Sequence, residues 1–153
     1  MLSKIIYVVL MAAFVGGTIC FTGCSDEKKT KTKKTKKEEI NLSSRKATAT
    51  TFVKAIHDGD TETMWECFSL RTQRILKEIA ASRNLSIKEF KQEFCNDMRN
   101  QYEADGKSIN QSVEDLLRDP RIFSKVDGKW YINVARDIKR TTHYSNDYYY
   151  SYQ

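Results

Sequence analysis

Thiols, imidazoles and clustered carboxylates are where reactivity in this 153-residue chain must be sought, and it has four Cys and two His. Cys67 and Cys95 lie 28 positions apart. In an oxidising compartment such a pair can bond, and the closed loop would stabilise the fold by about 3–4 kcal/mol. Trp65, Phe68 and Phe94 flank the two residues, an apolar setting that equally suits two buried free thiols, so both readings stand. As a metal site the pair lacks help, because neither His57 nor His143 falls at ligand spacing around it, and no metal is expected. His57, Asp58 and Asp60 form the one cluster that could act as a general base. Turn chemistry explains them better: Asp ends and caps helices, and Gly59 supplies the reversal. The chain has no glycine-rich phosphate loop, no Gly-x-Ser-x-Gly elbow and no histidine-rich cluster. No catalytic residue and no cofactor is therefore expected.

Cys24 is different, because of what precedes it. Lys4 is followed by an apolar run from Ile5 to Val15 and then by the small residues Gly16, Gly17, Thr18 and Gly23, the order of a secretory signal. The tetrad Phe21-Thr22-Gly23-Cys24 resembles a bacterial lipobox. That resemblance implies that the Cys24 thiolate takes a diacylglyceryl thioether, that a dedicated peptidase cuts between Gly23 and Cys24, and that Cys24 begins the mature chain as a lipid-carrying (palmitate-type) residue. Cys20 follows the branched Ile19, a poor fit to the peptidase, and reads as filler of the apolar run. Ser25, rather than Asp, follows Cys24, which by the enteric sorting rule favours the outer membrane over the inner. Ser25-Asp26-Glu27 also resembles the short acidic signal that sends some lipoproteins of the Bacteroidota to the cell surface. A competing reading exists. Ile5 to Gly23 is 19 residues, close to the length that crosses about 30 Å of hydrocarbon. One Lys before the segment against seven between Lys28 and Lys37 would place an uncleaved span's carboxyl side in the cytoplasm.

Lys28 to Lys37 contains only Lys and Thr, so it buries no core and repels itself, and it reads as an extended tether. Its cations can lie against anionic headgroups at up to about 1 kcal/mol each. Most of the net charge of +6 sits here. Residues 45–153 hold 18 Lys and Arg against 16 Asp and Glu, so the remainder is nearly neutral and no nucleic-acid partner is implied. The organisation expected is a signal peptide over 1–23, a lipidated Cys and tether over 24–44, one globular domain over 45–139, and a Tyr-rich tail over 140–153 that reads as disordered.

The elements within 45–139 are predicted as follows. Ala49, Phe52, Val53 and Ile56 recur at helical spacing and Asp58-Gly59 ends that helix. Asp60 or Thr61 caps a second, short helix carrying Met64, Trp65 and Phe68. Ser69 opens a third with Ile75, Leu76 and Ile79 inward. Ser86-Ile87-Lys88-Glu89 is a capping box with Leu85 and Phe90 as its staple, and Ile87, Phe90, Phe94, Met98 and Tyr102 form the stripe behind it, stopped at Gly106. Ile109, Val113, Leu116 and Leu117 suggest a last helix, broken at Asp119-Pro120. Then the period changes. Ile122 to Val126, Asp127-Gly128 and Lys129 to Ala135 read as a hairpin, with Phe123 opposite Ile132 and Lys125 opposite Trp130. Phe123, Trp130, Ile132 and Val134 should cover the helices, and Tyr131 and Asn133 should face outward. The fold class is α+β, with about four to five helices followed by a C-terminal antiparallel hairpin.

Ala55-Ile56-His57-Asp58-Gly59-Asp60, Trp65, the Phe68-Ser69-Leu70 break and the strand Val126-Asp127-Gly128-Lys129-Trp130-Tyr131-Ile132 resemble small bacterial lipoproteins of the nuclear-transport-factor-two-like superfamily, over residues 46–80 and 121–135. The resemblance implies a cone-shaped fold with helices in the concave face of a curved sheet. Some of its enzymes use an Asp or His base in the cone. Residues 86–118 read as helix where the family places strands, so a sheet reduced to two or three strands is expected. The role expected, from the signal and the absence of catalytic residues, is a non-enzymatic, lipid-anchored envelope domain that binds a protein, peptide or glycan partner. The alternative is a ligand-binding or catalytic cone, which requires His57, Asp58 or Asp60 to point into a pocket. Tyr144 and the run from Tyr148 to Tyr152 could stack on sugars, or simply fray.

Overall fold

The computed structural model describes residues 40–138, and its first helices begin where side chains can accept the orphan amide protons of a first turn. Helix α1, Arg45–Asp58, starts at Ser44, whose Oγ accepts from the Ala47 amide at 3.1 Å. It ends on Gly59, at φ +73°. There the Asp60 amide donates back to the Ala55 carbonyl at 2.8 Å and the Gly59 amide to Ile56 at 3.2 Å, a Schellman closure that needs the left-handed conformation glycine adopts freely. Asp60 then caps α2, Thr61–Glu66, accepting from the Thr63 amide at 3.0 Å and the Thr63 hydroxyl at 2.7 Å.

Helix α3, Leu70–Ser82, is capped by Ser69. Helix α4, Ile87–Ala104, carries the expected capping box in full: Ser86 Oγ accepts from the Glu89 amide, and Glu89 Oε2 accepts from the Ser86 amide at 2.9 Å. A second box, not foreseen from the sequence, opens α5, Ile109–Leu117, where Ser108 and Gln111 make the same reciprocal pair. Pro120–Ile122 forms a 3-10 turn under Asp119.

Helix α1 is the centre of the packing. It contacts α2, α4 and α5, and the hairpin lies on it as well. Two-sided burial of Thr48, Ala49, Phe52, Val53, Ala55 and Ile56 records this. Phe68 fixes the meeting point: its ring packs edge-on against Phe52 at 5.2 Å, Phe94 at 5.9 Å and Trp65 at 6.3 Å, and Phe94 stacks in turn on Phe90 at 6.1 Å. Such pairs add to area burial because each ring's positive edge meets a negative face.

Strands β1, Phe123–Val126, and β2, Lys129–Ile132, pair antiparallel in the expected register, with Phe123 opposite Ile132 and Lys125 opposite Trp130. Asp127 at φ +48° and Gly128 at φ +79° make the turn. The fold is thus α+β, with five α-helices ahead of a two-stranded sheet among the described residues.

Three details depart from the sequence reading. Strand β2 ends at Ile132, three residues early, and residues 135–138 are helical, with the Ile138 amide donating to the Val134 carbonyl at 3.0 Å. Asn133 does not face outward: its Oδ1 accepts from the Thr72 hydroxyl at 3.4 Å, and the Val134 amide donates to Thr72 Oγ1 at 3.1 Å. Tyr131 packs partly against the core. The physical reason is the second edge of β2. Its outward backbone groups are taken by segments other than a long strand. Leu42 O accepts from the Trp130 amide, the Thr48 hydroxyl donates to Trp130 O, Cys67 O accepts from the Ile132 amide, and the Ser69 amide donates to Ile132 O. Phe68 and Ile132 form an isolated parallel bridge there. Leu42 is buried, so the packed body begins ahead of Arg45.

Candidate functional site

The turn after α1 holds His57, Asp58 and Asp60, the one candidate acid-base cluster. Its side chains do not converge. His57 Nδ1 lies 4.0 Å from Asp58 Oδ1, with the two side chains 58% and 73% exposed. Asp60 spends both carboxylate oxygens on Thr63. Each residue therefore performs turn and cap chemistry, and His57 and Asp58 stand in water, where nothing desolvates a base or aims it at a substrate.

Cys67 and Cys95 are brought into the same core but as free thiols, the second of the two arrangements their surroundings allowed. Cys67 closes α2, and its backbone is held by Ile132. Burial, with the negative charges of Glu66 and Asp60 adding to it, pushes its thiol up to about 12. Cys95, on α4, points its Sγ at the Ile56 carbonyl, 3.8 Å away, and burial raises its pKa too, opposed by the nearby Arg99. Because the thiolate is the nucleophile and the metal ligand, both thiols are inert at neutral pH. Among the described residues no group of three His, Cys, Asp or Glu side chains is placed to hold a metal ion.

A shallow depression of about 450 Å³ lies along the outer face of α5, lined by Lys107, Asn110, Gln111, Glu114, Asp115 and Arg118. Its charges are already paired. Lys107 Nζ donates to Asp115 and lies 3.5 Å from Asp105, and Arg118 lies 3.0 Å from Asp115. The Lys107 hydrogen bond holds the Asp115 carboxyl below its usual range, and Asp115 raises Lys107 in turn. An anion or cation arriving here meets a surface of nearly cancelled charge.

Comparison of the chain with family models, with curated proteins and with solved structures finds no match. Gly23 and Cys24, the cleavage and lipidation residues, and the Tyr-rich tail lie outside the described residues. So does the Ile5–Gly23 segment. Among the described residues no helix is long and apolar enough to cross a membrane.

What the surface does present is an aromatic between cations. Trp130 is half-buried beside the β-turn, with the Arg45 guanidinium 5.4 Å and Lys125 Nζ 5.9 Å from its ring centre, both in cation–π range. Val126, at the turn, is 50% exposed, and Leu70, at the first turn of α3, is 82% exposed. The hairpin register already pairs Lys125 with Trp130. Arg45 is distant from Trp130 in the sequence and carries no local signal for that contact.

Proposed function

We propose that this chain is a lipid-anchored protein of a bacterial cell envelope, with an α+β domain that binds a protein, peptide or glycan partner and catalyses no reaction. The observation that carries the reading is the Gly23-Cys24 pair placed directly after an apolar, small-residue segment. Membrane lipid is then its first partner, through a thioether at Cys24. The outer membrane is the favoured address, with exposure at the surface compatible with Ser25-Asp26-Glu27.

The placement of His57 and Asp58 in solvent supports a binding rather than a catalytic domain, since the catalytic cone needs them facing inward. A helix closed by Gly59, a short helix bearing Trp65 and a late hairpin support a likeness to the nuclear-transport-factor-two-like lipoproteins, in a form with the sheet cut to two strands and most of the volume given to helices.

The lopsided lysines favour a second reading, an uncleaved span with the domain in the cytoplasm. One experiment separates the two. Wild-type chain and Cys24→Ala are expressed in a bacterium, membranes are fractionated, and radiolabelled palmitate incorporation and intact mass are measured. Label that is lost in the variant, on a wild-type chain beginning at Cys24, is the expected result. An uncleaved and unlabelled wild-type chain would overturn the lipoprotein reading in favour of the span.

A further inference from the structure

We infer that the hairpin tip and the start of α1 form a lipid-docking surface that seats the domain on an anionic membrane; the inference rests on the lipid-anchor reading for its setting. Three features meet at the hairpin tip, whose register puts Lys125 and Trp130 on one side of the ribbon and Val126 and Lys129 on the other. Val126 offers exposed apolar surface at the apex of a turn, and Lys125 and Lys129 flank it, both exposed. Among the described residues no carboxylate is paired with either lysine or with Arg45, whose neighbour is the Trp130 ring. Asp127, in the turn itself, is the one acid in the patch. An amphipathic aromatic with cations across it and a small apolar tip beside it matches a headgroup region, where rings lie at the boundary and ammonium groups meet phosphate.

The second observation is where the chain enters the domain. Leu42 O accepts from the Trp130 amide at 2.8 Å, so the polypeptide coming from Cys24 joins the fold on the Trp130 strand itself. Fifteen residues separate Cys24 from Ile40, a reach of at most about 55 Å when fully extended. A lipid at Cys24 therefore holds the domain within that reach of the bilayer, at high effective concentration, where even weak surface affinity orients it. The exposed Leu70 with Arg71 and Arg74 makes a second basic and apolar spot, but it lies at the start of α3, next to the Ile132 end of β2 rather than at the hairpin tip.

The test uses the mature-length chain carrying Cys24→Ser, so that no acyl group contributes. Sedimentation is measured with vesicles of phosphatidylcholine with and without phosphatidylglycerol, following tryptophan emission in parallel. Wild-type sequence should bind only the anionic vesicles, with emission shifting to the blue, and added salt should release it. Lys125→Ala with Lys129→Ala should lower the partition coefficient about tenfold, and Val126→Ser should lower it a further few-fold. Arg71→Ala with Arg74→Ala should leave it within about twofold. All five positions are exposed, so unfolding midpoints should not move, and this is checked. A second chain with the seven lysines from Lys28 to Lys37 changed to Gln separates tether from domain. Hairpin variants that bind like wild type, or binding that vanishes with the tether lysines alone, would overturn the inference. Equal affinity for duplex DNA through the same three residues would also overturn it, in favour of a general polyanion surface. Palmitate labelling reports on the anchor independently, so failure of one reading is told apart from failure of the other.

Discussion

Burial that pushes the Cys67 thiol up to about 12 ties the protonation of one buried atom to the stability of the domain. The unperturbed thiol titrates at 9.0, so between about 9 and 12 the native state holds a proton the unfolded state has lost, and stability falls as pH rises through that window. Below it the group has no effect. The steepest contribution is about 1.4 kcal/mol per pH unit. Tyr102 acts in the same direction, its phenol raised by burial and by Asp115 and Asp105. Urea midpoints of wild type should therefore decline above about pH 9, and Cys67→Ala, though weaker at neutral pH by about 1–2 kcal/mol, should decline less steeply. An equal slope in both would rule out Cys67 as a source of the alkaline loss. A thiol reagent should find Cys67 and Cys95 silent in the native chain and reactive after denaturation; no thiol after denaturation would mean a disulfide instead. The sequence limited the pair to these two outcomes through its aromatic neighbours. Choosing between them required the tertiary packing, in which Cys95 Sγ meets the Ile56 carbonyl and both thiols stay free.

At the scale of elements, caps made the helices legible. Ser86 and Glu89 announce α4 three residues apart, and the predicted box is present atom for atom. Ser86→Ala should cost about 1 kcal/mol in urea unfolding; a change under about 0.3 kcal/mol would show that tertiary packing alone fixes that end. The Glu89 carboxyl is held below its ordinary range by the Ser86 hydroxyl and amide. Its contribution is therefore present at neutral pH and lost as pH falls through the carboxylate range. Gly59→Ala should destabilise by about 1 kcal/mol or more, because φ +73° is strained for any Cβ. The hairpin register was legible for the same reason as the caps: Asp127-Gly128 is a local signal. The end of β2 was not legible. Leu42, Thr48, Cys67 and Ser69 bond the strand through backbone groups and one hydroxyl, and a backbone group looks the same in every residue. The turn of chain at Asn133 follows from Thr72, a buried hydroxyl on another helix, which periodicity cannot announce.

The whole molecule is organised on Phe68, the residue joining the aromatic chain through Phe52, Phe94 and Trp65 to the sheet bridge at Ile132. Phe68→Ala should cost about 3–5 kcal/mol, a large part of the 5–15 kcal/mol typical of a domain, and a loss of the cooperative melting transition near 37 °C is the expected calorimetric result. The α+β class and the helix order could be read from the sequence, since each element carries its own period and cap. The candidate surface could be read only in part, because Arg45 and Trp130 meet from opposite ends of the domain's sequence. That same separation has a bearing on biosynthesis. The Thr48 hydroxyl and Trp130 carbonyl that join α1 to β2 are 82 positions apart, and loop closure of that order must precede any reward from the contact. The strand that completes the central helix is among the last parts of the domain to leave the ribosome. Until it does, the growing chain lacks the closing edge of its core.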